Sequence, residues 1–305
     1  MSPNPTIACL GECMVEFRQT GEGIFAAGFG GDTLNTAVYL SRLGQTVDYV
    51  TALGDDPWSE QMLALWQAED VCTDAVIRVP GAAPGLYVIQ VDGAGERRFS
   101  YWRDNSPARR LFDLPETAAT CERLTGYGTI YLSGISLSLY GEAGRARLFE
   151  TLAAAKAKGA RIAFDSNFRP RGWPDRDEAK AAFLRAFHLS DILFASTEDL
   201  DLLFGDEGGA VLADAAPNAE RIVKHEDLSV VVSLGTREET VRGEPAARVV
   251  DTTAAGDSFA AAYLAARLGN AAPGEAAAAG HRLARQVVGH PGALMPRGPL
   301  DDVLP

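Results

Sequence analysis

Residues 249–263, VVDTTAAGDSFAAAY, constrain this chain more than any other stretch. They read as an apolar strand end, a turn of small residues and the start of an alanine-rich helix, a joint typical of alternating strand and helix folds. Ala254, Ala255 and Gly256 carry so little side chain that consecutive backbone N–H groups can crowd a ligand where a helix dipole concentrates positive charge. The turn is therefore a candidate anion hole. Asp257 falls in the first turn of the helix, where the same field favours its ionised form and leaves it able to accept a proton. A lone Gly-Asp here would be no more than a cap. The ordered run from Asp251 through Thr252 and Thr253 to Asp257 is more constrained than capping requires.

The rest of the chain supplies the alternation. Strands are expected at 7–10, 13–18, 47–53 and 75–79, with a glycine-rich loop opening a helix in 28–44 and a second helix at 58–67. Residues 85–103 break the rhythm: LYVIQV, a DGAG turn and RRFSYWR form an antiparallel hairpin. Together with the strand near Met14 it makes a small sheet apart from the main one, a lid built from segments of roughly 12–29 and 82–104. Alternation resumes with strands at 129–132, 161–165, 191–195 and 229–233 and helices at 144–158, 176–188, 197–204, 209–216 and 273–288. No repeat or linker divides the chain, so the expected fold is one doubly wound α/β domain over 1–305 with an inserted β lid.

A chain of 305 residues, 47% of them hydrophobic, can bury a large core. Its net charge of −13 argues against nucleic acid or an anionic membrane as partner, and an anionic substrate would need basic residues concentrated locally. Cys9, Cys13, Cys72 and Cys121 form no CxxC pair and read as buried free thiols, which fits a reducing compartment. With no charged-then-apolar leader and no run of eighteen apolar residues, the expectation is a soluble, cytoplasmic protein. The common nucleotide loops are missing, since Gly-Lys never occurs and residues 28–33 do not complete G-x-G-x-x-G. His188, His225, His281 and His290 lack paired-ligand spacing.

Other stretches could carry chemistry. Gly30 and Gly31 let backbone approach a ligand, and Asp32 with Asn35, one helical turn apart, can hold neighbouring hydroxyls; a plain helix start capped by Asp32 fits the same residues. On the hairpin, Tyr101 and Arg103 share a face by the period of two, opposite Tyr87. An aromatic wall with a guanidinium suits a carboxylated sugar, although exposed strands also carry Tyr and Arg for no such reason. Asp165, Asn167 and Arg169 alternate along a strand end in FDSNFRPR, and Ser233-Leu234-Gly235 is a strand followed by a glycine.

The run DTTAAGD resembles the D-T-x-G-A-G-D signature of ribokinase-like (PfkB) carbohydrate kinases, and GGDTLN is similar to that family's first signature, G-G-x-x-x-N. The phrases GECMVEF, PGLYVIQ, GERRFSYWR, YLSGISL and FDSNFRPRGW look like the branch acting on the acid sugar 2-keto-3-deoxygluconate, across nearly the whole chain. The resemblance implies transfer of the γ-phosphoryl of MgATP to the sugar's 6-hydroxyl. It implies Asp257 as base, the amides of Ala254, Ala255, Gly256 and Asp257 around the moving phosphoryl group, and Arg169 between substrate and γ-phosphate. Gly30, Gly31, Asp32, Asn35, Tyr87, Tyr101, Arg103 and Ile135 would hold the sugar acid; Asn167, Ser196, Ser233 and Gly235 would serve ATP. Asp251 would lie near a monovalent cation such as K⁺, and Asp199 would reach Mg²⁺ through water.

The chain also departs from the pattern. Ser196 and Asp199 stand where the family usually has N-x-x-E, Ala254 replaces a glycine, which implies that positive φ is not needed there, and a second glycine is missing after Gly235. An abbreviated flap over the adenosine is expected. Exposed lid edges favour a homo-oligomer. A kinase for a neutral ketose and a sugar-acid-binding module without turnover remain the alternatives.

Overall fold

The computed structural model describes residues 7–91 and 97–305, so the DGAG turn and the first six residues lie outside it. In chain order the elements are β1 (Ile7–Leu10), β2 (Met14–Gly21), β3 (Ile24–Gly30), α1 (Asp32–Arg42), β4 (Val47–Leu53), α2 (Pro57–Ala68), β5 (Val76–Arg78), β6 (Leu86–Val91) and β7 (Arg97–Trp102). Then follow α3 (Thr117–Leu124), β8 (Thr129–Ser133), α4 (Gly134–Leu139), α5 (Glu142–Ala157), β9 (Arg161–Asp165), α6 (Arg176–Leu189), β10 (Ile192–Ser196), α7 (Thr197–Phe204) and α8 (Gly208–Ala215). The chain closes with β11 (Glu220–Lys224), β12 (Ser229–Leu234), β13 (Arg237–Arg242), α9 (Ala255–Leu268) and α10 (Pro273–Val287).

Nine strands form one sheet in the order β13-β12-β11-β10-β9-β8-β1-β4-β5. From β5 to β11 every pairing is parallel, and β12 and β13 add an antiparallel hairpin at one edge. Central strands are buried along their length because helices cover both faces; β4, VDYVTAL, is buried at all seven positions. One core packs α1, α2, α9 and α10 against one face, and the other packs α3 to α8 against the opposite face. Local signals set the helix starts: Asp56 accepts from the Trp58 N–H (2.9 Å) with Pro57 at the first helical position, and Ser133 closes a capping box with Ser136 at the start of α4.

A second sheet of four strands, β3-β2-β6-β7, stands beside the first. Its strands come from 14–30 and 86–102, with Val15–Arg18 running parallel to Leu86–Ile89 in the middle. β3, β11, β13, α3 and α4 were not expected from the sequence. Conversely, no strand forms at 249–251: Val249 and Val250 are exposed, and the Val250 and Asp251 N–H groups donate to the Val288 carbonyl (2.8 and 3.2 Å). The catalytic-looking turn is therefore hung from the end of α10 rather than from a sheet. All four cysteines are free; Cys9 and Cys13 are buried, but Cys72 and Cys121 are only half-buried. Among the described residues no helix is long and apolar enough to cross a membrane.

Candidate active site

Strand order reverses between β1 and β8, and in open parallel sheets the crevice at the carboxyl ends of strands beside such a point collects ligands. Here the ends of β9, β10 and β11, the N-termini of α1 and α9, and one face of the small sheet enclose a cleft of about 470 Å³. Of the residues expected at the site, Gly30, Gly31, Asp32, Asn35, Tyr87, Tyr101, Ile135, Asn167, Arg169, Ser196, Asp199 and Ala254 to Asp257 all line it.

The turn before α9 has no side-chain cap, so its first N–H groups are left for a ligand. Two details correct the sequence reading. Ala254 sits in the left-handed region at φ 62°, ψ 14°, so the turn does require positive φ and pays for a Cβ there. The Ala255 N–H donates to the Thr252 carbonyl (3.2 Å), which takes one of the four expected amides and leaves those of Ala254, Gly256 and Asp257 to face an anion. Asp251 braces the turn from behind: its carboxylate accepts from the N–H (2.9 Å) and hydroxyl (2.6 Å) of Thr253 and from the Gly292 N–H (3.0 Å).

Asp257 Oδ2 accepts from Asn35 Nδ2 at 2.8 Å, which joins the two helix N-termini across the cleft. Burial, and after it the nearby Asp32 carboxylate, push its pKa up to about 8, against the pull of Asn35 and Lys224. The helix field alone was expected to keep Asp257 ionised, but desolvation and a like charge outweigh it. Asp165 is raised too, mainly by burial, with Lys224 Nζ at 3.4 Å holding it down. Asp32 is fixed by donors from both sides, Ser133 Oγ (2.5 Å) and Asn167 Nδ2 (2.7 Å). Asn167 is thus tied to Asp32 at the N-terminus of α1.

On the opposite wall Ser196 caps α7 by accepting from the Asp199 N–H (3.0 Å). Asp199 accepts from Ser166 Oγ (2.6 Å) and lies 3.6 Å from the exposed Arg169 guanidinium. The small sheet contributes Tyr87, whose hydroxyl donates to Glu16 (2.5 Å), with Tyr101 at 5.9 Å and Phe99 stacked on Tyr101.

Three expected residues are placed elsewhere. Arg103 is ion-paired with Glu12 and does not line the cleft. Ser233 and Gly235 stand at the far end of the sheet: β12 runs antiparallel to β11, with Ser233 opposite Arg221, so its end points away from the cleft. Residues 237–242 pair with β12 as an edge strand instead of forming a flap. The strand that does reach the cleft is β11, ending in Lys224, which was not singled out because ERIVK carries charges at both ends. Glu198 also lines the cleft, a residue that only the N-terminus of α7 could have flagged.

The residues present fit a nucleotide's phosphates and a hard cation. Amides of Gly256 and Asp257, Lys224 and Arg169 face the cleft beside the Asp165, Asp199 and Glu198 carboxylates. Among the described residues no group of three or more His, Cys, Asp or Glu is arranged to hold a metal ion. A proton acceptor set beside donors for a phosphate is the equipment for moving a phosphoryl group onto a hydroxyl, the work of a kinase.

The chain belongs to the pfkB family of carbohydrate kinases, whose family model matches residues 4–297, and is an ATP-dependent carbohydrate kinase. It is 41% identical to the 2-dehydro-3-deoxygluconokinase of Dickeya dadantii, over 95% of this chain and 96% of that one. It is 40% identical to the enzyme of the same name from Escherichia coli K12, over 95% and 97%. The solved fructokinase of Xylella fastidiosa with bound ATP is 26% identical and superposes with a TM-score of 0.79, covering 95% of this chain and 94% of that chain.

Proposed function

We propose that this kinase transfers the γ-phosphoryl of MgATP to the 6-hydroxyl of 2-keto-3-deoxygluconate, also called 2-dehydro-3-deoxygluconate. The observation that carries the choice of sugar is the likeness, near 40% over 95% of the chain, to two 2-dehydro-3-deoxygluconokinases. The geometry carries the chemistry. Asp257, held by Asn35, takes the proton of the hydroxyl as it attacks. The Gly256 and Asp257 amides, Lys224 and Arg169 stabilise charge spread over the phosphoryl oxygens, the main contribution a protein can make to a loose transition state. Mg²⁺, held by the phosphates and reached through water by Asp199, would neutralise the β- and γ-phosphoryl charge.

Asp32, Asn35, Gly30 and Gly31 receive the sugar hydroxyls, Ile135, Tyr87 and Tyr101 flank the carbon chain, and Arg103, which stands behind the cleft wall on Glu12, meets the carboxylate when the small sheet closes. Closure of the small sheet as a lid excludes water and limits wasteful hydrolysis of ATP. A monovalent cation such as K⁺ would sit beside the Asp251 turn. The exposed Ile24, Phe25 and Trp102 of the small sheet support pairing of two copies through it, and the free thiols support a reducing, cytoplasmic setting. A panel of 2-keto-3-deoxygluconate, its galactonate epimer and fructose with MgATP tests the reading. Turnover confined to the acid sugars supports it. Preference for fructose would make this a neutral-ketose kinase, and binding of the acid without turnover would make it a sugar-acid-binding module.

A further inference from the structure

The chain crosses between the two sheets four times, after β1, after β3, before β6 and after β7. All four crossings meet at Glu12. Its own residue is the first crossing; a Cβ on Gly31, in the second, would lie 2.2 Å from the Glu12 carbonyl oxygen. At the third, a Cβ on Gly85 would lie 3.1 Å from Glu12 Oε1 and 3.0 Å from Arg103 Cβ. At the fourth, Arg103 itself pairs with Glu12 Oε2. Met14, which lines the cleft, meets the same Gly85 position at 3.1 Å, so the ion pair stands one residue behind the cleft wall.

We infer that Glu12 is a positioning residue that pins Arg103 at the joint between the two sheets, so that an acid sugar's carboxylate is received there. The inference rests on the reading that Arg103 takes that carboxylate. The Glu12 side chain is only 1% exposed, and its Oε1 is buried without a donor. An Arg103 that swung into the cleft would strand this carboxylate, a penalty larger than one charged hydrogen bond to the substrate returns. The guanidinium therefore stays on Glu12. Of the Arg103 side chain 19% stays exposed, and that part, not the buried Nε, is what a ligand carboxylate can meet.

Steady-state kinetics of the full chain with 2-keto-3-deoxygluconate and MgATP, for Glu12→Gln, Arg103→Ala and the double variant, test this. Glu12→Gln is expected to raise KM for the acid sugar about tenfold, with kcat and KM for ATP within about twofold. Arg103→Ala is expected to raise it at least as much, and the double variant no further, since Glu12 acts through Arg103. Glu12→Asp, which keeps the charge and shortens the reach, is expected to give a smaller rise and replaces Glu12→Gln if that variant does not fold.

An unchanged KM in the Glu12 variants beside a raised one in Arg103→Ala overturns the inference alone. Multiplying effects in the double variant, or an equal loss in kcat and KM for ATP, also overturns it, because Glu12 would then be only a strut. Arg103→Ala with an unchanged KM for the acid sugar would instead remove the carboxylate reading beneath it.

Discussion

Asp257 stands under opposed influences: the N-terminus of α9 and Asn35 favour its carboxylate, while burial and Asp32 favour the acid. The second pair wins, and two measurements follow from it. Asp257→Asn keeps the bond from Asn35 and removes the proton acceptor, so kcat is expected to fall by on the order of a hundredfold or more with ATP affinity nearly unchanged. A folded-state pKa lifted from 3.8 to about 8 also means that stability is full below the unfolded value and lost as pH rises toward the folded one. Thermal midpoints of the ligand-free wild type are expected to drop between about pH 5 and pH 8, and Asp257→Asn to drop less; equal slopes would show that Asp257 ionises freely. Ala254 is the other residue under tension. At φ 62° its Cβ costs about 1 kcal/mol, so Ala254→Gly is expected to raise the melting temperature by roughly 2 °C in a chain of this size. A lower melting temperature would mean that the turn is held by something other than its backbone.

At the scale of elements, the direction of one strand decides which residue reaches the cleft. β11 runs parallel to β10 and delivers Lys224 to the cleft, whereas β12 returns antiparallel and carries Ser233 and Gly235 away. Lys224→Ala is therefore expected to weaken kcat/KM for ATP by at least tenfold, and Ser233→Ala to change it by less than about twofold; the reverse pattern would misplace the phosphates. Runs that are apolar between turn residues were legible: the bounds of β1, β4, β9 and α7 match the reading of the sequence. The two helix N-terminal signatures were legible too, because backbone approach to an anion demands small residues in order. β3 was lost since IFAAGFG has neither alternation nor a polar face, and β11 since its charges hide a buried centre. What no local pattern carries is a partner far along the chain. Arg103 was given to the substrate on a period of two, and only the fold reveals Glu12, 91 residues away, as its counter-ion.

The whole molecule presents an anionic face to anionic substrates. Its net charge of −13 surrounds a cleft where Asp32, Asp165, Glu198, Asp199 and Asp257 face Lys224 and Arg169, so an approaching sugar acid meets repulsion before any cation. That repulsion acts over tens of ångströms in dilute buffer and is cut to about 8 Å at physiological ionic strength, while a buried pair such as Arg103 with Glu12 is screened far less. Salt therefore weakens the long-range penalty more than the local attraction. Raising tetramethylammonium chloride, which brings no alkali cation, from about 0.01 to 0.15 M is expected to raise kcat/KM for the acid sugar about threefold at saturating MgATP, with kcat little changed. A fall over the same range would mean that Lys224, Arg169 and Arg103 already outweigh the charge of the whole chain at the distance where substrate is captured, and that the cleft attracts the acid instead of admitting it against the field.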